Sequence, residues 1–410
     1  MDDQDKELPS GLALTPLDPV FREHPHVYLD RLRAEAPVLR DTAMNRLFLT
    51  RFEDTRAVLN NRALAVDPRK APPDSYHRRV VIGDQDPALF EPSMLHMDDP
   101  DHKRIRGLVS QAFNQRAVEA FRPRIQEVAD QLLDAVADRD GFDVIADYAA
   151  PLPTIVIAEM LGVDPRDQAR FKRWSDALAH TFNPRRTPEQ DAELAEADTG
   201  LVDYFQQVVD ARRKKRGTDL ISALVSAEEL GDRLTEREVI GICFLLLVAG
   251  NVTTTDLIGN GVLALLRHPD ELAKLRARPE LIRNAVEEML RYDPPVAQGG
   301  RLALEPMEVG GVKVGAGQSL SVSLLAAGHD PAVHRDPHRF DIERADTSHL
   351  AFGGGAHFCL GAPLARAEAQ IAIATLLRRF PDLSLDPAAS VEHKRIPVFN
   401  GVAALRVRTR

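Results

Sequence analysis

The chain has 410 residues, of which 44% are hydrophobic and 28% charged, the composition of a globular protein long enough to enclose a cofactor or substrate. A net charge of −10 and an aromatic content of 5% argue against nucleic acid as a partner. Residues 1–7 are acidic without an apolar segment, and the longest apolar run, Val239–Gly250, is shorter than the roughly 20 residues of a membrane span. We therefore predict a cytoplasmic protein with no signal peptide and no membrane or nucleic-acid partner.

The N-terminal half is predicted to begin with short strands and to become helical. Strands are expected at Pro37–Arg40 and Arg46–Thr50, followed by a helix over Phe52–Asn60. Residues 67–101 contain many Pro, Asp and His without sustained periodicity, which predicts a long loop, and loops of that length are usually functional or mobile. From about 102 to 292, apolar residues recur every three or four positions, as in amphipathic helices.

One long apolar helix is predicted to run from Thr235 to His268. Thr235 and Glu238 have the spacing of a capping box, and the pattern ends only before Pro269. At ~1.5 Å per residue the helix is on the order of 50 Å long, so its apolar middle must cross the interior. Residues 249–255, Ala-Gly-Asn-Val-Thr-Thr-Thr, are poor helix formers at its centre. They indicate either a mild kink with hydroxyls bonded back to carbonyls or a groove that receives a flat ligand.

The C-terminal part is predicted to alternate between helix and strand. A helix over about 280–292 precedes an alternating segment, 297–325, with a hairpin turn at Gly310-Gly311. A last helix is expected over 362–380, ending at a proline. Together with the strands near 37–60, these segments predict a mainly α fold with a small β-rich region.

The chain has two cysteines, which exclude a disulfide framework and any four-cysteine zinc or iron–sulfur site. Cys243 lies in an apolar run, where a free cysteine is most simply a small core residue. Cys359 follows a glycine-rich segment and precedes a predicted helix, whose free amides stabilise a thiolate. Cys359 is therefore the residue on which the functional argument depends.

Four kinds of site could use the segment around Cys359. The glycines at 353–355 do not fit the spacing of a dinucleotide-binding loop, and no further ligands complete a zinc site with His357 and Cys359. A thiol nucleophile stays open, although its base and orienting group cannot be located from the sequence. A single thiolate in a glycine-rich loop also suits a metal with one protein ligand, and heme iron is the obvious candidate.

The segment Phe352-Gly-Gly-Gly-Ala-His-Phe-Cys-Leu-Gly361 matches in full the Phe-Gly-x-Gly-x-His-x-Cys-x-Gly heme-binding signature of the cytochrome P450 family. The chain resembles that family from about residue 15 to its C-terminus. Glu288 and Arg291 alone would be a surface pair worth ~0–1 kcal/mol. They match the Glu-x-x-Arg motif, however, and Arg339 matches the third member of its structural triad, which implies that the three lock the core behind Cys359.

The resemblance implies a single heme-thiolate domain over residues 1–410, with a P450-like fold and a long central helix over a buried heme. The β-rich portion would cover about 37–60 and 297–325, and the helical portion about 102–292 and 362–380. The implied cofactor is heme b (iron-protoporphyrin IX), with Cys359 as the metal ligand. Buried propionates require cations or hydrogen-bond donors. The implied cofactor-binding residues are His102, Arg106, Ala249, Arg301, Phe352, His357 and Cys359.

The implied function is a heme-thiolate monooxygenase that inserts one oxygen atom of O2 into a small or medium apolar substrate. The long helix would supply an oxygen-binding notch at Ala249-Gly250 and a proton-relay hydroxyl at Thr253. Electrons would come from a ferredoxin and an NAD(P)H ferredoxin reductase. Two alternatives are a peroxide-driven oxygenase and a non-catalytic heme-binding sensor or carrier. Exposed charges that could meet an acidic redox partner, or be ordinary solvated charges, are Lys103, Arg104 and Arg366.

The chain departs from the family where an acid normally precedes the relay threonine, because Val252 stands there, preceded by Asn251. Valine cannot carry a proton, so three routes are open: water or Asn251 bridges to Thr253, the substrate supplies the missing group, or peroxide delivers oxygen already protonated. We favour the first route, in which Asn251 orients a water. The substrate pocket is expected to be apolar, and its predicted lining residues are Leu95, Val248, Val252, Val296 and Phe399.

Overall fold

A computed structural model describes residues 8–83, 86–183, 185–229 and 234–410 of the chain. The prediction for the N-terminal residues 1–7 lies outside this range. Most of the described chain is helical, and its α-helices are α1 (Pro19–Glu23), α2 (Pro25–Glu35), α3 (Phe52–Asn60), α4 (Tyr76–Val81), α5 (Asp101–Val109), α6 (Gln115–Asp134), α7 (Pro151–Leu161), α8 (Gln168–Ala179), α9 (Pro188–Lys214), α10 (Leu220–Glu229), α11 (Glu236–Arg267), α12 (Pro269–Ala277), α13 (Ile282–Tyr292), α14 (Leu324–Gly328) and α15 (Ala362–Arg379).

The strands are short and form small sheets. They are β1 (Val38–Asp41), β2 (Arg46–Leu49), β3 (Leu64–Ala65), β4 (Gly141–Asp143), β5 (Gln298–Ala303), β6 (Met307–Val309), β7 (Val312–Val314), β8 (Ser319–Ser323), β9 (Ser384–Leu385), β10 (Glu392–His393), β11 (Val402–Ala404) and β12 (Arg406–Arg408). The largest sheet has the order β1-β2-β8-β5-β3, in which β2 and β8 pair parallel and the other neighbours antiparallel. The β6–β7 hairpin turns at Gly310-Gly311, as predicted.

The segment 67–101 is less irregular than the sequence indicates. It contains α4 and two single 3₁₀ turns, Pro68–Lys70 and Met94–His96. The Ser75 hydroxyl accepts a hydrogen bond from the backbone N–H of Arg78 and so caps α4. In helices this short, apolar residues do not recur often enough to show a helical period. The composition of the segment therefore predicts a loop.

The long helix α11 begins and ends where the sequence predicts. The hydroxyl of Thr235 accepts from the N–H of Glu238 at 3.2 Å, and the Glu238 carboxylate accepts from the N–H of Thr235 at 2.7 Å. The helix runs through the interior against α7, α8, α9 and α15. In the described chain it is the one helix long and apolar enough to cross a membrane, and 56% of its most apolar window is buried by the surrounding protein, as in a core helix.

Candidate functional site

The loop before α15 is folded tightly enough to hold Cys359 in a fixed position. The N–H of Cys359 donates to the carbonyl oxygen of Phe352 at 2.9 Å. Gly355 has φ +65°, and a Cβ there would lie 2.6 Å from the carbonyl oxygen of Leu59, at the end of α3. A side chain at this position is therefore excluded by both strain and space. The loop packs on α3 and leaves Cys359 just before the first turn of α15.

Cys359 is half-buried and has positively charged or polarised groups around it. Burial raises the pKa of the thiol, and the backbone N–H groups of Gly361 and Ala362 and the Arg106 guanidinium oppose that shift. Arg106 also donates to the carbonyl oxygen of Phe358 at 2.5 Å, which ties α5 to the loop. Because the same groups would stabilise a thiolate, the site suits metal ligation once an iron ion adds its own charge.

Four basic side chains meet beside this loop although they come from three distant segments. The ring centroids of His102 and His357 lie 4.1 Å apart, and Arg301 donates to the carbonyl oxygen of Gly354 at 3.4 Å. Arg106, one turn after His102, completes the group. A cavity of about 200 Å³ opens against three of them, His102, Arg301 and His357. The structure therefore brings together the four predicted propionate contacts.

The charges of this basic cluster are compensated only in part: the Asp99 carboxylate lies 3.5 Å from Nδ1 of His102. Arg301 is 8% exposed, and its recorded hydrogen bonds all go to backbone carbonyl oxygens. Burial lowers the pKa of Arg301 to about 10 and, with the nearby His102, that of His357 to about 3. In the part of the chain that the structure describes, the Nε2 atom of His102 is buried without a hydrogen-bond partner. Buried hydrogen-bond donors without an acidic partner favour the binding of an anionic ligand.

The centre of α11 turns small residues toward open space. Ala249 is exposed and Gly250 and Thr253 are half-buried, although the flanking parts of the helix lie in the core. Ala249 and Thr253 share a face four residues apart, and the Thr253 hydroxyl donates to the Ala249 carbonyl oxygen at 2.8 Å. The helix continues through this segment. Each of the two predicted alternatives is observed in part, because a hydroxyl bonds back to a carbonyl and this face of the helix is open to a ligand.

Asn251 is not placed beside Thr253, which corrects its predicted catalytic role. At about 100° per residue, two positions along the helix put the side chains roughly 160° apart around the axis. Asn251 is 2% exposed and accepts from the Thr255 hydroxyl at 3.5 Å, while its Nδ2 has no partner. Val252 is 4% exposed and belongs to the packed interior rather than to an open pocket wall.

The structural triad is present, but its third member is Arg344 rather than Arg339. The Glu288 carboxylate binds Arg291 at 2.7 and 2.9 Å and Arg344 at 3.1 and 3.2 Å. Arg339 has a side chain that is 61% exposed, and it contributes its backbone carbonyl, which accepts from Arg291 and Arg344. The segment from 335 to 344 curls around Glu288, so a residue five positions further along reaches the carboxylate.

A family model described as Cytochrome P450 matches residues 47–403 of the chain. The chain belongs to the cytochrome P450 family. It is 42% identical over 396 residues to Cytochrome P450 107B1 of Saccharopolyspora erythraea, which covers 95% of this chain and 94% of that protein. It is also 42% identical over 411 residues to the Cytochrome P450 monooxygenase PikC of Streptomyces venezuelae, covering 98% and 95% of the two chains.

Solved structures confirm the predicted P450 fold. The crystal structure of myxobacterial cytochrome P450 CYP267B1 in complex with myristic acid matches with a TM-score of 0.89 and 41% identity, over 96% of this chain and 98% of that one. Relatives of this similarity are monooxygenases, and this P450 is accordingly an oxidoreductase of the monooxygenase class.

The P450 family implies a heme iron, and the residues present fit that group. Cys359 supplies one soft thiolate, the ligand type that P450 iron takes. The orphaned Nε2 of His102 and the buried guanidinium of Arg301 supply the donors that a carboxylate-bearing cofactor needs. The open face at Ala249 lies on the central helix, where a flat ring can approach the backbone.

A functional candidate that the sequence reasoning missed is Glu368, on α15. It is 2% exposed, burial raises the pKa of its carboxyl to about 8, and Thr254 hydrogen-bonds to it. Its Oε1 atom has no hydrogen-bond partner among the residues that the structure describes. The apolar positions of α15 recur at 364, 367, 371 and 372, so the helical period already places 368 on the buried face.

The predicted pocket residues are brought together only in part. Val296 and Phe399 pair in an isolated antiparallel bridge, and the Phe399 ring lies 5.7 Å from that of Phe182. Leu95 is 47% exposed on the 3₁₀ turn that packs against α11, and Val248 is half-buried. Phe182 is a further apolar candidate, and no sequence motif marked it.

Two of the three charges considered for a redox partner are engaged within the chain. Arg104 binds Glu238 at 2.5 Å. Arg366 makes two hydrogen bonds to Glu287, at 2.7 and 2.8 Å. Lys103 is exposed. Arg104 and Arg366 therefore brace α5 and α15 rather than present free charges to a partner.

Proposed function

We propose that this P450 is a heme-thiolate monooxygenase that inserts one oxygen atom of O2 into a small or medium apolar molecule. Residues 1–410 would form one heme domain that receives electrons from a separate ferredoxin and NAD(P)H ferredoxin reductase in the cytoplasm. The observation that carries the proposal is the position of Cys359 beside a basic cluster in which Arg301 is buried and Nε2 of His102 has no hydrogen-bond partner among the described residues. That combination suits an anionic cofactor whose metal takes one thiolate.

Each part of the site has a distinct task in this proposal. Bound heme b supplies the oxidising chemistry, and a thiolate ligand favours cleavage of the O–O bond. Cys359 would hold the iron, while His102, Arg106, Arg301 and His357 would hold the propionates. Phe352 and Ala249 would contact the cofactor. These residues orient the cofactor by contacts made before any substrate arrives.

Proton supply is the part of the mechanism in which this chain differs from its family. Val252 carries no proton, and Asn251 faces away from Thr253. Glu368 is protonated at neutral pH because burial raises its pKa to about 8, and Thr254 hydrogen-bonds to its carboxyl. We therefore propose that Glu368 supplies the proton that the family's usual acid would supply at the position of Val252. Ordered water would link Oε1 of Glu368 to the Thr253 hydroxyl.

The substrate is proposed to be an uncharged apolar molecule. Phe182, Phe399 and Val296 form an uncharged wall. One structural neighbour holds myristic acid, and another, CYP109E1 from Bacillus megaterium, holds testosterone. Both compounds are therefore suitable first probes in a spectral titration of the ferric protein, where displacement of iron-bound water reports entry into the pocket.

Turnover of a compound that gives such a shift distinguishes the three candidate functions. Product is expected with ferredoxin, reductase and NADPH under air, and little or none with hydrogen peroxide alone. Full turnover with peroxide and none with the redox proteins would replace the proposal with a peroxide-driven oxygenase. Tight binding without product under either condition would indicate a sensor or carrier.

A further inference from the structure

Three histidines from two distant parts of the chain meet outside the cysteine loop. His26 lies on α2, His329 directly follows α14, and His338 lies in the segment that curls around Glu288. One ring nitrogen from each lies within 4.8 Å of the other two. His329 is buried, His26 is half-buried and His338 is exposed, so the cluster opens to solvent on one side.

Two of the rings are oriented by hydrogen bonds of the kind that fix metal-binding histidines. A carbonyl or carboxylate oxygen can only accept, so Nε2 of His329 donates to the Tyr292 carbonyl at 2.7 Å, and Nε2 of His338 donates to the Asp30 carboxylate at 2.9 Å. Such contacts set the tautomer and the ring orientation of metal ligands. In both rings they leave Nδ1 as the atom available for an ion.

The spacing of these free nitrogens matches shared coordination. Nδ1 of His329 and Nδ1 of His338 are 3.2 Å apart. Two nitrogens bound at ~2.05 Å to one tetrahedral zinc ion are separated by about 3.3 Å. Because both Nε2 atoms already carry hydrogen, the two Nδ1 lone pairs face each other, and either one proton or one metal ion must lie between them.

His26 supplies a third nitrogen that has no other use in the structure. Its Nδ1 is buried and has no hydrogen-bond partner within the described ranges of the chain. Its ring centroid lies 4.9 Å from that of His338 and 3.9 Å from that of His329, close enough for the three rings to share one ion. Burial lowers the pKa of His26 to about 4 and that of His329 well below its ordinary value, so both rings are neutral ligands at pH 7.

We propose that His26, His329 and His338 bind one divalent transition-metal ion of the zinc type, with water in the fourth position. Three imidazoles and one open position are a common zinc ligand set. The ion would replace the proton between His329 and His338, so its binding would release a proton. It would also tie α2 to the segment that carries Arg344, which supports the core behind Cys359.

The experiment uses the heme-loaded, tag-free chain, selected by its Soret-to-protein absorbance ratio so that Cys359 is occupied. After dialysis against EDTA and then against zinc chloride, elemental analysis is expected to give one zinc per chain. His338→Asn and His26→Asn are expected to give none. His24→Gln changes an exposed histidine two residues from His26 and is the matched control, with one zinc expected.

A second readout separates a site from a folding defect. The melting temperature of the wild type should rise with zinc concentration, because the ion binds only the folded chain, and that of His338→Asn should not. The zinc-free variants should keep the Soret band and melting temperature of the zinc-free wild type. Zinc content that is near zero in the wild type, or equal in the wild type and both variants, would overturn the proposal.

Discussion

Glu288→Ala is expected to abolish the folded, heme-loaded protein. The Glu288 carboxylate accepts from Arg291, from Arg344 and from the backbone N–H of Asp341, and both Glu288 and Arg291 are fully buried. Its removal leaves two guanidinium groups without their counter-charge, and breaking such a buried pair costs ~3–5 kcal/mol. That loss is a large part of the stability of an ordinary domain.

The neighbouring arginines provide the internal test of this network. Arg344→Ala should lower the melting temperature and the heme content in the same direction as Glu288→Ala, because its side chain is 9% exposed and touches the carboxylate. Arg339→Ala should change unfolding free energy by about 0.5 kcal/mol or less, as is usual for exposed side chains. Equal losses for Arg339→Ala and Arg344→Ala, measured by denaturation and Soret absorbance, would contradict the assignment.

Glu368→Gln and Thr253→Ala are expected to lower product formed per NADPH consumed. Acid–base assistance is typically worth 10²–10⁴-fold, so loss of a proton source should divert reducing equivalents to peroxide. Thr255→Val is the matched control, because Thr255 bonds to Asn251 on the far side of the helix. If Glu368→Gln forms as much product per NADPH consumed as the wild type, Glu368 is only a buried polar group and not a proton source.

The pH dependence of coupling gives this role a second test. The pKa of Glu368 is about 8 in the folded chain, so its proton-donating form predominates below that pH and is lost above it. Coupling in the wild type should therefore fall as pH rises through about 8. Since the folded pKa lies above the 4.5 of an ordinary Glu, the stability linked to the protonated carboxyl is lost progressively as pH rises from about 4.5 to about 8. Glu368→Gln should show neither change.

The parts of the site that the sequence predicted correctly are those set by local geometry. The capping box of α11 depends on Thr235 and Glu238, three residues apart. The loop around Cys359 depends on adjacent glycines, of which Gly355 adopts a positive φ against α3. Short-range patterns of this kind determine the local backbone conformation without help from distant segments.

The parts that were wrong or missed depend on how distant segments pack. Arg344 and Arg339 lie in one irregular segment without a period, so the sequence does not say which side chain reaches Glu288. The histidine cluster joins positions 26, 329 and 338, and only the packed structure brings them together. Asn251 is different, because the helical angle alone places it away from Thr253.

The spectrum of the reduced, carbon monoxide-bound protein tests the central claim most directly, since it reports the iron ligand without requiring a substrate. We predict the red-shifted Soret band of thiolate ligation in the wild type and its loss in Cys359→Ala, with folding followed by circular dichroism. A wild-type protein without that band, or a Cys359→Ala protein that retains it, would contradict the claim that Cys359 binds a heme iron.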